Sequence, residues 1–207
     1  MKALTLATVA LAALSVPALA GGPTVVADDP MPEAMAAPAA AHDWSGPYVG
    51  LSYGRVSGDI SDPGLTYDYD DGNAKGGFVG FNLQRGNFVY GGELGYSSVS
   101  GATVLLGGGD DSLDSLLDLR GRVGFAVGKA LIYGAFGYSR GNLTINATDG
   151  ATLSGTSAGL GADFMVTQRV LFGVDYTSRK LDGRNDLNTF DLESTVNTIG
   201  LRVGLSF

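Results

Sequence analysis

The segment TIGLRVGLSF (Thr198 to Phe207) alternates strictly. Ile199, Leu201, Val203, Leu205 and Phe207 are apolar, and Thr198, Gly200, Arg202, Gly204 and Ser206 between them are small or polar. A period of two places neighbouring side chains on opposite faces of a strand. One face is therefore greasy, and the other carries a charge.

The rhythm recurs along the chain. Leu117, Leu119, Val123, Phe125 and Val127 oppose Asp118, Arg120, Arg122, Gly124 and Ala126. Val170, Phe172, Val174 and Tyr176 oppose Leu171, Gly173, Asp175, Thr177 and Arg179. Ala158, Leu160, Ala162, Phe164 and Val166 oppose Ser157, Gly159, Gly161, Asp163 and Met165. Phe88, Tyr90, Leu94 and Tyr96 oppose Val89, Gly91, Glu93 and Gly95. Three further segments, Pro47 to Val56, Lys75 to Gln84 and Ala130 to Arg140, complete a set of eight strands. The last is apolar on both faces, so its orientation is open.

The connections alternate as well. Arg85-Gly86-Asn87, Gly128-Lys129-Ala130 and Thr167-Gln168-Arg169 read as tight turns. The intervening stretches, near 58–74, 100–113, 143–152 and 182–192, read as long loops. This is an up-and-down meander with one trimmed end and one elaborated end. The expected fold is all-β: an eight-stranded antiparallel barrel.

A soluble barrel hides its apolar face, whereas a membrane barrel turns that face to lipid. The polar face here carries Glu93, Asp118, Asp163 and Asp175 against Arg120, Arg122, Arg179 and Arg202, so its charges balance. Lysine is scarce in these strands, glycine abundant, and aromatics (Tyr96, Phe164, Tyr176, Phe207) sit near strand ends. These features favour a transmembrane β-barrel with a lumen charge network of those eight residues.

Residues 1–20 combine Lys2, an apolar run and SVPALA, with Ala18 and Ala20 in the small-x-small arrangement of a cleavage site: a secretory signal peptide. Residues 21–43 hold Pro23, Pro30, Pro32 and Pro38 among alanines and form a linker, expected in the periplasm. Residues 44–207 form the barrel domain. The chain has 207 residues and no cysteine, which excludes a thiolate metal site or cysteine nucleophile. Its formal charge of -8 becomes -9 once Lys2 leaves with the signal peptide, and nucleic acid is not an expected partner.

DWSGPYVGLSYG (Asp43 to Gly54), GGFVGFNLQ with FVYGGELGY, and the terminal GLRVGLSF resemble the small outer-membrane β-barrel family of Gram-negative bacteria, whose members look like the membrane domain of OmpA. The resemblance covers about Trp44 to Phe207 and implies a structural or surface role, porin-like in some members. It also implies that Val203, Leu205 and Phe207 form an assembly signal read by the barrel-assembly machinery. With the chain closing on Phe207, no peptidoglycan-binding domain is expected after the barrel.

Catalysis is not expected. His42, the sole histidine, lies in the linker, away from any rigid nucleophile. Gly107 to Asp111 lacks the following GK[ST] of a phosphate loop, and Tyr67 to Gly72 lacks EF-hand spacing. No cofactor or metal centre is expected. Asp59, Asp62, Asp68, Asp70 and Asp71 make the first long loop acidic, with Asp182, Asp186 and Asp191 in the last, while Arg85, Lys129 and Arg169 mark the short turns. If the long loops are extracellular, Ca²⁺ or Mg²⁺ bridging them to lipopolysaccharide phosphates is one reading, and generic loop acidity is the other. A small porin-like channel and loop-mediated adhesion or ligand binding stand as alternatives to the structural role.

Overall fold

A computed structural model describes residues 42–62, 65–68, 71–106, 109–145, 149–185 and 191–207. Ten strands follow one another: β1 (Gly46–Asp62), β2 (Leu65–Asp68), β3 (Gly72–Arg85), β4 (Phe88–Ser100), β5 (Thr103–Leu106), β6 (Gly109–Val127), β7 (Ala130–Ile145), β8 (Asp149–Met165), β9 (Val170–Asn185) and β10 (Asp191–Ser206). Eight of them are the staves of an antiparallel barrel, closed by pairing of β1 with β10. The short β2 and β5 only extend the hairpins at one end, on β1 and β6.

Closure has a physical cause. An unpaired backbone N–H or C=O in lipid costs several kcal/mol, so a spanning sheet cannot keep an edge. The register also sets the tilt. Followed once round, Val49 pairs through Val79, Leu94, Leu119, Tyr138, Thr156, Lys180 and Thr195 to Asp59, ten residues further along β1. That stagger is the shear that tilted staves require.

The alternation reads as the sequence pattern predicts. Leu119, Val123 and Leu201 point outward, while Arg120, Arg122 and Arg202 point inward. A one-residue slip of β10 would turn Arg202 to lipid, at about 2–4 kcal/mol near the midplane. The open case, β7, is settled: Leu131, Tyr133, Ala135 and Ser139 face the lumen, and Ile132, Phe136 and Tyr138 face out.

Two expectations need correction. The staves are 13 to 19 residues long and run beyond the segments read from sequence, such as Pro47 to Val56 and Lys75 to Gln84. Much of the four "long loops" is ribbon: β1 and β9 run on to Asp62 and Asn185, and β6 starts at Gly109. Above the bilayer a strand needs no apolar outer face, so its polar composition looked like loop. A bulge between Leu113 and Ser115 shifts the β6–β7 register there. At the opposite end the turns are tight, with Gly86 and Gly128 at φ of 58° and 60°.

Candidate functional site

The lumen is filled in three layers. At the short-turn end, Trp44, Val89, Leu131, Met165 and Leu171 form a buried apolar cluster with Tyr133. At the ribbon end, Val56, Ile60, Leu113, Leu116, Leu153, Leu181 and Val196 form a second one. Between them lies a layer of charge.

Glu93, 2 % exposed, is the hub of that layer. It accepts hydrogen bonds from Arg120, Arg122 and Arg202, and from the Tyr48 hydroxyl at 3.0 Å. Asp163 accepts from Arg122 Nη2 at 2.7 Å, and its other oxygen lies 3.3 Å from Arg202 Nε, close in charge but without hydrogen-bond geometry. Asp175 accepts from Arg120 at 3.0 Å, the Tyr133 hydroxyl at 2.9 Å and Thr177 at 2.8 Å. Three carboxylates thus face three guanidiniums. Higher in the lumen, Arg179 donates to both oxygens of Asp118 at 2.7 Å, and Ser139 donates to the same carboxylate.

Aromatic rings complete the layer. The Arg122 guanidinium lies 3.7 Å from the centre of the Tyr133 ring, and that of Arg202 lies 3.9 Å from the Phe78 ring. These rings cover cation faces that no carboxylate reaches. Tyr48, Phe78, Tyr133 and Thr177 were not among the residues singled out from sequence. A signal existed: each occupies an inward register position that the neighbouring strands fill with small residues.

The apolar clusters were missed too, since the inner face was read as small or polar. The signal for them is the loss of alternation at strand ends, where Val170-Leu171-Phe172 and Phe88-Val89-Tyr90 are apolar on both faces. There the inner residue fills the lumen while its neighbours meet lipid. Below the ribbon-end cluster, beside Phe78, Arg120, Arg179 and Thr198, a cavity of about 60 Å³ remains. It has room for a few waters.

The segment before β1 crosses the short-turn mouth. His42 N donates to Gly128 O at 3.1 Å in the β6–β7 turn, and Trp44 N to the Gln84 side chain at 2.8 Å on β3, two staves from β6. The His42 ring packs edge-on against Trp44 at 5.3 Å. Burial holds the His42 imidazole below its ordinary value, while the backbone N–H of Ser45 lowers the Asp43 carboxyl.

Outside, two aromatic belts bound the apolar surface. Phe88, Phe125, Phe164, Phe172 and Phe207 are exposed at the short-turn end, and Tyr53, Tyr96, Tyr138 and Tyr176 towards the ribbons. Val203 and Leu205 face outward on β10, and Phe207, just after it, is exposed. Ala18 and Ala20 lie outside the described residues, as does most of the 21–43 linker.

Residues 33–207 match the family of the outer membrane protein β-barrel domain. The chain belongs to that family. It is 29% identical over 242 residues to the 31 kDa outer-membrane immunogenic protein of Brucella melitensis, covering 100% of this chain and 99% of that one. It is also 29% identical over 177 residues to the 22 kDa outer membrane protein of Rhizobium leguminosarum bv. viciae, covering 81% of this chain and 80% of the relative. Among solved structures, Neisserial surface protein A superposes with a TM-score of 0.50 at 15% identity, over 79% of this chain and 98% of that one, a likeness of fold. The protein is thus an outer-membrane β-barrel, and a structural or surface role fits it.

Proposed function

We propose that this barrel serves the envelope as a closed, non-enzymatic stave with a surface face, and not as a channel. The observation that carries the reading is the lumen: an apolar cluster, a neutral charge layer and a second apolar cluster are stacked along it. An ion would have to cross two dry segments and break a guanidinium–carboxylate network, each step costing several kcal/mol. The same network argues against acid–base chemistry, because each of the four carboxylates is engaged by arginine.

The short turns and the N-terminal segment lie on the periplasmic side, and the ribbons reach the cell exterior. Val203, Leu205 and Phe207 present the terminal strand to the barrel-assembly machinery, and the signal peptide directs export. The acidic ribbon tips bind Ca²⁺ or Mg²⁺ in contact with lipopolysaccharide. Planar-bilayer recording tests the central point: the purified protein gives no steady conductance, and regular openings would refute the closed lumen. Protease added to intact cells tests the topology, by cleaving the ribbon end first.

A further inference from the structure

Among the described residues, four exposed cations point outward just above the tyrosine belt: Arg55, Lys75, Arg140 and Lys180. They escape the contrast of acidic loops and basic turns, because they belong to the ribbon end. Lys75 stands beside Tyr53 in the β1–β3 register, and Arg55 is the next outward residue on β1. The two are diagonal neighbours, within reach of one ligand. Arg55 is steadied by Asp71 at 2.7 Å, whereas Lys75 has no carboxylate partner among the described residues.

Below this pair the outer wall is grooved along the seam where the barrel closes. One groove of about 390 Å³ runs between Leu51, Tyr53, Lys75, Phe172, Leu201 and Val203. A second, of about 330 Å³, shares Leu51 and Val203 with it and continues to Val170 and Leu205. From Leu201 to Leu205 the strand runs about 13 Å, which at a tilt of about 40° is about 10 Å of depth, two-thirds of one leaflet's share of a hydrocarbon core of about 30 Å. The feature is thus a phosphate-sized cationic pair above an apolar groove that runs through most of one leaflet. Asp71, just before β3, and Asn73 on it lie beside the cations, and Asn197 accepts a hydrogen bond from Tyr176 on the other flank. Such side-chain oxygens suit sugar hydroxyls.

We propose that the β1–β10 seam is a binding site for the lipid A of lipopolysaccharide, a phosphorylated, acylated disaccharide. Lys75 and Arg55 take a phosphate, with arginine offering a fork of donors and lysine a point charge. An acyl chain lies in the groove over Leu51, Leu201 and Val203. The assignment of outer leaflet rests on the topology proposed above, which protease accessibility reads independently of lipid binding.

The test uses the full chain refolded in phosphatidylcholine nanodiscs doped with diphosphoryl lipid A, with retained lipid counted by native mass spectrometry. One lipid A per barrel is expected. Lys75→Gln with Arg55→Gln should lower retention on the order of thirtyfold. Leu51→Trp, which fills the groove and keeps the charges, should lower it as well. Arg140→Gln with Lys180→Gln should leave it unchanged. Heat-shifted gel mobility verifies closure of each variant, and Lys75→Gln alone, at an exposed site, serves if the double variant fails to close. Equal retention of dephosphorylated lipid A or of phosphatidylglycerol would overturn the proposal. So would an equal loss on removing Arg140 and Lys180, which would mean a non-specific cationic collar.

Discussion

Arg202→Leu is the sharpest test of the lumen. The arginine is 3 % exposed and lies on the barrel's closing strand. It donates to Glu93 and to the Tyr133 hydroxyl, at 3.0 Å for the latter, and its charge sits 3.3 Å from Asp163 and 3.8 Å from Asp175. Leucine in its place leaves Glu93, Asp163 and Asp175 facing only Arg120 and Arg122. One negative charge is then buried without compensation, which costs about 3–5 kcal/mol. Urea unfolding in lipid vesicles, followed by emission of the single tryptophan Trp44, should show an unfolding free energy lower by that amount, through a lower midpoint with little change in slope. Adding Glu93→Gln removes the surplus charge. The double variant should therefore be less destabilised than the two single costs together, with a coupling of about 1–3 kcal/mol. A wild-type midpoint for Arg202→Leu, or strict additivity in the double variant, would refute the interlocked network.

Trp44→Ala should cost about 3 kcal/mol by emptying the short-turn cluster, read by urea unfolding followed with circular dichroism because the variant holds no tryptophan, yet leave planar bilayers silent because the charge layer still blocks the lumen. The His42–Trp44 contact should weaken in acid. The folded imidazole is held below its ordinary value of 6.5, mainly by burial, so docking is intact above that pH and is lost as pH falls below it. Trp44 emission should shift to the red on acidification, and His42→Phe should abolish the pH dependence. Gly128→Val should destabilise by about 1–2 kcal/mol, measured by urea midpoint. Space around Gly128 is open, so the cost comes from its φ of 60° alone.

The architecture was legible in the sequence because lipid enforces it residue by residue. Each outward position of β4, β6, β8, β9 and β10 that lies within the bilayer must be apolar or small, so alternation alone places Arg202 inside and Phe207 at a belt. Charge balance on the inner face could likewise be counted. Which arginine meets which carboxylate could not, because register and shear decide that. Glu93 on β4 reaches Arg202 on β10 only across the lumen of a closed, tilted barrel. The orientation of β7 was open because both its faces are apolar; Tyr133 turns inward because its hydroxyl finds Asp175 and Arg202 there.

Other features needed the tertiary structure for the same reason. Trp44 looked like the edge of a linker, and becomes a stopper only when Gln84 on β3 and Gly128 in the β6–β7 turn are brought to one mouth. Arg55 and Lys75 are twenty residues apart in sequence and neighbours only through the β1–β3 register. The local two-residue period determined which face each side chain takes. Partnership across the lumen and along the seam was decided by the one closed register that satisfies every backbone hydrogen bond in lipid.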